Sequence, residues 1–379
     1  MSALPDMQLF RDVPVVPVAK ARRTVVTGGP IWPKFETQVA ARHCRGGVAQ
    51  DTAPRPPTGR IATETRPAVW GGYLIRHFGH LVAEQLTRLP QSLRDRPDDI
   101  CLFTVPPEDR PETLPGYIWD VLDWHGVRRD RVVIVSDPCL VQTLHVAAQG
   151  EMLGQIPTAT EYLDLLEDRA RRNALLPERH RLVFVTRAGL VPAGGGGHAG
   201  EGYLATLLEG LGVRILDPGR VSLREQLALY AGASVLLFSE GSALHGRTLV
   251  GRVRQEIHVL RRRPQRNTAR LQLKPRCRHL AYHETVAGKL GTETDTRASR
   301  VDREVALYDR DALFVALAEV GIDLSPVWDD TAYRAAAEAD LAGWMAANPT
   351  TPGQRAVNEA VLARLGLTPD FTRLVGAPA

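Results

Sequence analysis

Residues 182–245 read LVFVTRAGLVPAGGGGHAGEGYLATLLEGLGVRILDPGRVSLREQLALYAGASVLLFSEGSALH, and this run decides the fold. Leu182–Arg187, Val213–Asp217 and Ser234–Ser239 are short apolar runs of strand length, and Glu256–Leu260 is a fourth. Between them lie a glycine-rich loop, a helix over Gly200–Leu211, a Ser222-capped helix to Ala231 and a helix opening at Ser242. Strand and helix alternate with short connections, which predicts a parallel sheet with helices on both faces. Ligands of such sheets sit at the carboxyl ends of the strands. That rule selects Thr186-Arg187, Asp217-Pro218-Gly219 and Ser239-Glu240-Gly241-Ser242.

Upstream, residues 158–174 read as a connecting helix with a Thr cap and a basic end, in keeping with the helix dipole. Further back, strands are expected at Ile100–Val105 and Val132–Ser136, flanking an amphipathic helix through Ile118, Val121 and Leu122. A helix is expected from Tyr73 to about Leu89, closed by Pro90. Residues 1–66 carry Pro14, Pro17, Pro30, Pro33, Pro54, Pro56 and Pro57, and read as loops and short strands such as Thr24–Thr27. Downstream, 261–303 is basic and turn-rich, and 308–365 returns to helix. The expected division is an N-terminal Rossmann-like domain over 1–157, a connecting helix over 158–180, a C-terminal Rossmann-like domain over 181–303 and a helical extension over 304–379.

A chain of 379 residues exceeds the size at which one core keeps growing, so two domains are the default. Its 44% hydrophobic and 24% charged residues are ordinary for a folded globular protein. The net charge of +4 is a small excess of 47 basic over 43 acidic side chains, so it favours anionic partners only mildly. Cys44, Cys101, Cys139 and Cys277 are scattered and form no CxxC pair, against a disulfide framework or structural zinc site. No apolar run is long enough for a transmembrane helix, and Asp6, Arg11 and Asp12 break any signal-peptide core. The expected location is cytoplasmic, with peripheral association at the inner membrane left open.

Two stretches carry candidate chemistry. In His77-Phe78-Gly79-His80-Leu81-Val82-Ala83-Glu84, helical spacing puts His77, His80, Glu84 and Arg88 in one sector beside an apolar stripe. Such imidazoles and carboxylates suit removal of a proton from an attacking hydroxyl. The bland alternative is a Glu84–Arg88 surface pair and histidines that cap core contacts. A zinc reading of His77-x-x-His80 has no evident third ligand. The second stretch, Ser239–Gly246, is a small-residue turn opening a helix, suited to a diphosphate, with Ser242 also a good N-cap. Arg187, at a strand's carboxyl end, offers a planar fork to phosphate oxygens, the alternative being an ordinary surface Arg paired with Glu201 or Asp217. The Gly194–Gly197 run lacks a P-loop ending, and Asp98-Asp99 and Asp329-Asp330 form no DxD motif.

Taken in order, these stretches resemble glycosyltransferase family 61 in its bacterial branch. HFGHLVAEQLTRL (77–89), LVFVTR (182–187), residues 200–237 and SEGSALH (239–245) carry the resemblance, which covers about residues 66–262. It implies an α/β GT-B fold, two Rossmann-like domains facing across a cleft with a helical C-terminal extension here. It also implies inverting transfer from a nucleotide-sugar donor to a glycan or lipid-linked glycan acceptor in bacterial surface polysaccharide synthesis. Neither a cofactor nor an obligatory metal is implied. Arg187, Gly241, Ser242 and Ala243 would hold the diphosphate; Glu240, His245, Glu225 and Gln226 would line the nucleotide-sugar pocket. His77, His80 and Glu84 would face the acceptor, one of them serving as base. The chain departs from the better-known branch in having Glu240 where His is common and His245 where Asn is common.

Two rival classes use the same sheet. A nucleotide-dependent oxidoreductase would need a glycine fingerprint and an acidic residue some 20 positions on, roughly where Asp217 stands. A non-catalytic nucleotide- or glycan-binding protein would keep the fold and release no sugar. Nucleic acid is not an expected partner, because no aromatic residues interleave Arg261–Arg263.

Overall fold

The computed structural model describes residues 3–22, 25–106, 109–154, 158–293 and 302–369, and the chain forms two compact units. One unit comprises Met1–Leu176, His245–Val253 and Ala269–Cys277; the other comprises Pro177–Leu244, Arg254–Thr268 and Arg278–Ala379. The expected boundaries at 157, 180 and 303 are linear, whereas contact divides the chain discontinuously. Thr160–Arg172, read as a connector, belongs to the first unit because Tyr162, Leu163 and Leu166 are buried there.

The second unit holds the decisive run. Its strands His180–Val185, Arg214–Leu216, Ala233–Ser239, Glu256–Arg261 and His279–Glu284 form a sheet parallel throughout. Numbered along the chain, their spatial order is 2-1-3-4-5. This order reverses direction between the first and third strands, so the loops leaving His180–Val185 and Ala233–Ser239 diverge and open a crevice at their ends. The fifth strand, His279–Glu284, lies in the region read as turn-rich. Its alternation is too polar to resemble a buried strand, and its half-buried pattern marks an edge.

The C-terminal helices do not stand apart as an extension. Arg310–Ala318, Asp330–Ala347 and Pro352–Arg364 bury Leu313, Leu317, Leu341, Trp344 and Leu362 in the same core as Leu182, Phe184, Leu204 and Leu237 of the sheet and its helix. Before them, Val305–Tyr308 joins a small sheet with His198–Ala199 and Val286–Leu290.

The first unit is a mixed sheet. Cys139–Val146, Ala68–Tyr73, Ile100–Thr104 and Val132–Val135 run parallel, and Gln8–Arg22 and Val25–Pro30 add antiparallel strands beside Cys139–Val146. The 15-residue strand Gln8–Arg22 corrects the reading of 1–66 as irregular. Its pairing with Val25–Pro30 shifts register between Val16 and Lys20, and Pro17 sits in that irregularity where no ladder N–H is required. Thr24 of the expected Thr24–Thr27 strand lies outside the described residues.

The expected helix from Tyr73 to Leu89 is broken in the fold. Tyr73 ends a strand, a helical turn runs Phe78–His80, and a π turn follows over Leu81–Gln85. Pro90 does not close this helix; it sits in the first turn of Leu89–Asp95, where a missing N–H costs nothing.

Trp344 is fully buried and donates its indole N–H to the Arg303 carbonyl at 2.8 Å. Trp344→Ala is expected to destabilise the second unit by about 3–5 kcal/mol. Denaturant unfolding checks this; an unchanged midpoint would detach these helices from the core.

Candidate active site

In the first unit the chemistry gathers on the π turn. Leu81, Ala83 and Leu86 are fully buried, and the Leu86 N–H reaches the Leu81 carbonyl at 3.0 Å, the i to i+5 step that widens the turn. His77 caps this segment, its Nδ1 accepting from the His80 N–H at 3.3 Å. His80 is partly exposed, and its Nδ1 lies 3.1 Å from Glu84 Oε2. Glu84 is only 1% exposed and receives Arg45 in a fork, Nε to Oε1 at 2.6 Å and Nη2 to Oε2 at 2.9 Å.

Burial by itself would raise the Glu84 pKa; hydrogen bonds from His80 and Arg45 outweigh it and hold the carboxyl at about 2. Glu84 is therefore an ionised acceptor across the neutral range and a poor proton acceptor for an alcohol. Two groups meet His80 Nδ1. Glu84 Oε2, at 3.1 Å, can only accept and favours a hydrogen on Nδ1 with the lone pair on Nε2. Arg45 Nη2, at 3.2 Å, can only donate but is already directed to Glu84 Oε2 at 2.9 Å. The arrangement leaves His80 better suited than Glu84 to take up a proton, with Glu84 placed to orient its ring. The expected Glu84–Arg88 surface pair does not form. Arg88 is buried and donates to the carbonyls of Ala40, Arg42 and Ala147, and desolvation lowers its pKa to about 10.

Two further imidazoles border the turn. His43 is buried and held neutral, its pKa lowered to about 4 by desolvation, with its Nε2 3.2 Å from Gln85 Nε2. His245 packs so closely that a Cβ on Gly79 would fall 2.8 Å from its ring, so position 79 has room only for glycine. His245 belongs with this unit, beside the turn. Gln149 ties the scaffold together, accepting from Cys44 N–H at 2.6 Å and donating to the Glu84 carbonyl at 3.0 Å.

In the second unit the crevice ends are fixed by two buried carboxylates. Glu201 accepts from Thr186 Oγ1 at 2.7 Å, Arg187 N–H at 2.5 Å and Ser239 Oγ at 2.7 Å, joining the first and third strands where their loops diverge. Burial alone would raise its pKa, and hydrogen bonds from its neighbours lower it. Arg187 donates Nη2 to the Gly196 carbonyl at 2.8 Å, and its guanidinium packs against Gly241, where a Cβ would meet Nη1 at 2.1 Å. A cation and a bare peptide thus adjoin at the crevice.

Glu240 is fully buried, and its carboxylate is occupied. Arg263 Nε at 2.9 Å, Arg263 Nη2 at 2.5 Å and Thr268 Oγ1 at 2.6 Å donate to Oε1, while the amides of Arg262 and Arg263 reach Oε2 at 3.1 Å. Glu240 holds the Arg262-Arg263 loop to the strand end. Glu225 closes a capping box with Ser222, and the Gln226 side chain donates to the Pro218 carbonyl at 2.8 Å, so both serve the local turn. The helix expected from Ser242 is one turn, Ala243–Gly246, before a 3-10 turn over Arg247–Leu249. So short a helix has little macrodipole, and positive charge at the crevice comes chiefly from arginine. The glycine run does not open a helix, and Asp217 folds back on Gly219 N–H at 2.9 Å, leaving no dinucleotide fingerprint.

Sequence reasoning missed Arg45, His43 and Gln149, which reach Glu84 and its neighbours only through the fold, and Arg263 and Thr268, which carry no motif. Glu201, weighed only as a surface partner for the Arg187 side chain, is buried and accepts from the Arg187 backbone N–H instead. Ionisation of Glu84 supports the fold with a depressed pKa, so its contribution is full above pH 4.5 and is lost as pH falls to about 2. Glu84→Gln is expected to flatten the acid limb of the stability curve in that window; an acid limb matching the wild type would remove Glu84 from it.

Residues 78–248 match the model of the Glycosyltransferase 61 family, a stretch containing His80, Glu84, Arg187, Glu201, Glu240 and His245. No curated protein matches the chain. The match supports placing the chain in glycosyltransferase family 61 and makes it an enzyme, a glycosyltransferase.

Proposed function

We propose that the chain is an inverting glycosyltransferase of GT-B type that uses a nucleotide-sugar donor and a glycan acceptor, in bacterial surface polysaccharide synthesis. The observation that carries this reading is the buried Glu84 carboxylate set on His80 Nδ1 and clamped by Arg45. It prepares Nε2 of His80 to accept the proton of an acceptor hydroxyl. The hydroxyl oxygen then bonds to the anomeric carbon as the bond to the donor phosphate breaks, and the electron pair leaves with the nucleoside diphosphate. A single displacement of this kind inverts the anomeric centre.

The leaving diphosphate needs positive charge, which Arg187 and the adjoining Gly241 peptide supply at the crevice, with Ser242 and Ala243 continuing the turn. Arg187 is desolvated, which lowers its pKa and strengthens its pairing with an entering anion. Glu240 acts indirectly, holding Arg263 in place. His77 caps the turn that carries the base, and His245 packs against it at Gly79. In this reading the charge that a divalent metal supplies in other transferases comes from arginine, and no cofactor takes part.

The test separates the two roles. His80→Asn is expected to lower kcat for transfer about 10²–10⁴-fold while leaving donor binding unchanged. Arg187→Ala is expected to weaken nucleoside diphosphate binding roughly 10- to 100-fold, the loss of one charge-assisted contact. Titration calorimetry with UDP and GDP, beside sugar-transfer and donor-hydrolysis assays, reads both. Full transfer in His80→Asn would end the base assignment, and unchanged binding in Arg187→Ala would end the donor assignment.

A further inference from the structure

The second unit carries a cluster of ligand-type side chains that the transfer reaction does not use. Glu256 and His258 lie on one strand and His279 and His283 on the next, in parallel register with Glu256 opposite His279 and Leu260 opposite His283. Side chains two residues apart share a sheet face, so all four are on one side. Glu319 joins them from the end of the helix Arg310–Ala318, which packs on the outer strand.

His258 Nδ1 and His283 Nε2 are 3.0 Å apart and share a hydrogen bond, with the two ring planes nearly parallel at an interplanar angle of 3°. Two imidazole nitrogens on one tetrahedral zinc ion, at about 2.0–2.1 Å each, would be about 3.3 Å apart. One ligand atom from each of His258, His283 and Glu319 lies within 4.8 Å of the others. Glu319 Oε1 stands 3.8 Å from His283 Nδ1, so the carboxylate has to swing toward Nε2 to share an ion with His258. His258 is 2% exposed, and its other ring nitrogen, Nε2, has no hydrogen-bond partner; the nearest carboxylate, Glu256, stands 3.6 Å away. Glu256 is held in turn by Arg278. A carboxylate behind the far nitrogen of a histidine is the outer support that metal-binding imidazoles use. Burial lowers the pKa of both histidines, which keeps them in the neutral, lone-pair form a metal requires.

We propose that His258, His283 and Glu319 bind one zinc ion, with water in the fourth position and Glu256 supporting His258. Two imidazoles and a carboxylate suit zinc, and they exclude calcium and magnesium, which take oxygen ligands. The ion would fasten the last two strands of the sheet to the helix that precedes Glu319. No ligand belongs to the crevice cluster of Arg187, Glu201 and Glu240, and the ion takes no step in transfer.

The experiment uses the untagged full chain, stripped with a chelator and dialysed against micromolar Zn²⁺, with metal content measured per chain. One zinc ion per chain is expected, with a raised melting temperature, and Co²⁺ should give the intense visible absorption of a tetrahedral site. Glu319→Gln, at an exposed position that tolerates change, and His283→Asn should each abolish retention while circular dichroism stays that of the folded chain. Glu256→Gln should retain the ion with affinity about 10- to 100-fold weaker. A folded wild-type chain that holds no zinc would overturn the proposal, as would retention undiminished in Glu319→Gln and His283→Asn.

Discussion

A carboxylate keeps its charge inside a protein only if donors surround it, and both units are organised around that requirement. Glu84 at the π turn, Glu201 at the start of a helix and Glu240 just past a strand are all 1% exposed or less. Each gathers its donors from distant parts of the chain. Arg45 reaches Glu84 from 39 residues upstream, Ser239 reaches Glu201 from 38 downstream, and Thr268 reaches Glu240 from 28 downstream. Removing a donor would strand a charge, so the carboxylates fix where the surrounding segments lie. The functional side chains inherit that rigidity: His80 is aimed by Glu84, and the Arg187 backbone is held by Glu201.

What was legible in the sequence was local. The apolar runs at 182–187 and 234–239 and the helices between them follow from neighbouring residues, and the parallel sheet followed from their alternation. His80, Glu84 and Arg187 were legible for the same reason, as titratable groups at a helix border or a strand end. The strand Gln8–Arg22 was obscured by Pro14 and Pro17, whose effect on a strand depends on where its partners shift register. His279–Glu284 was obscured by the polarity of an edge.

The roles were less legible than the residues. Glu84 looked like a base because its type and spacing suit one; its pairing with Arg45, unreadable from position, keeps it ionised and makes it a poor proton acceptor. Glu240 looked like a ligand contact because it ends a strand, yet five donors already occupy it. Arg45, Arg262 and Arg263 lie outside the stretch that matches the family model, so the partners that set these roles lie outside it too.

In the proposed mechanism Glu84 fixes the hydrogen of His80 on Nδ1 and leaves Nε2 to accept a proton. Nitrogen-15 NMR of the histidine rings near neutral pH, with the His80 signals assigned by their loss in a His80 variant, reads this directly. The account expects His80 to show a protonated Nδ1 and a bare Nε2. A hydrogen on Nε2 with Nδ1 bare would contradict it, because the lone pair would then face Glu84 and Arg45 and none would be left on Nε2 for the acceptor's proton.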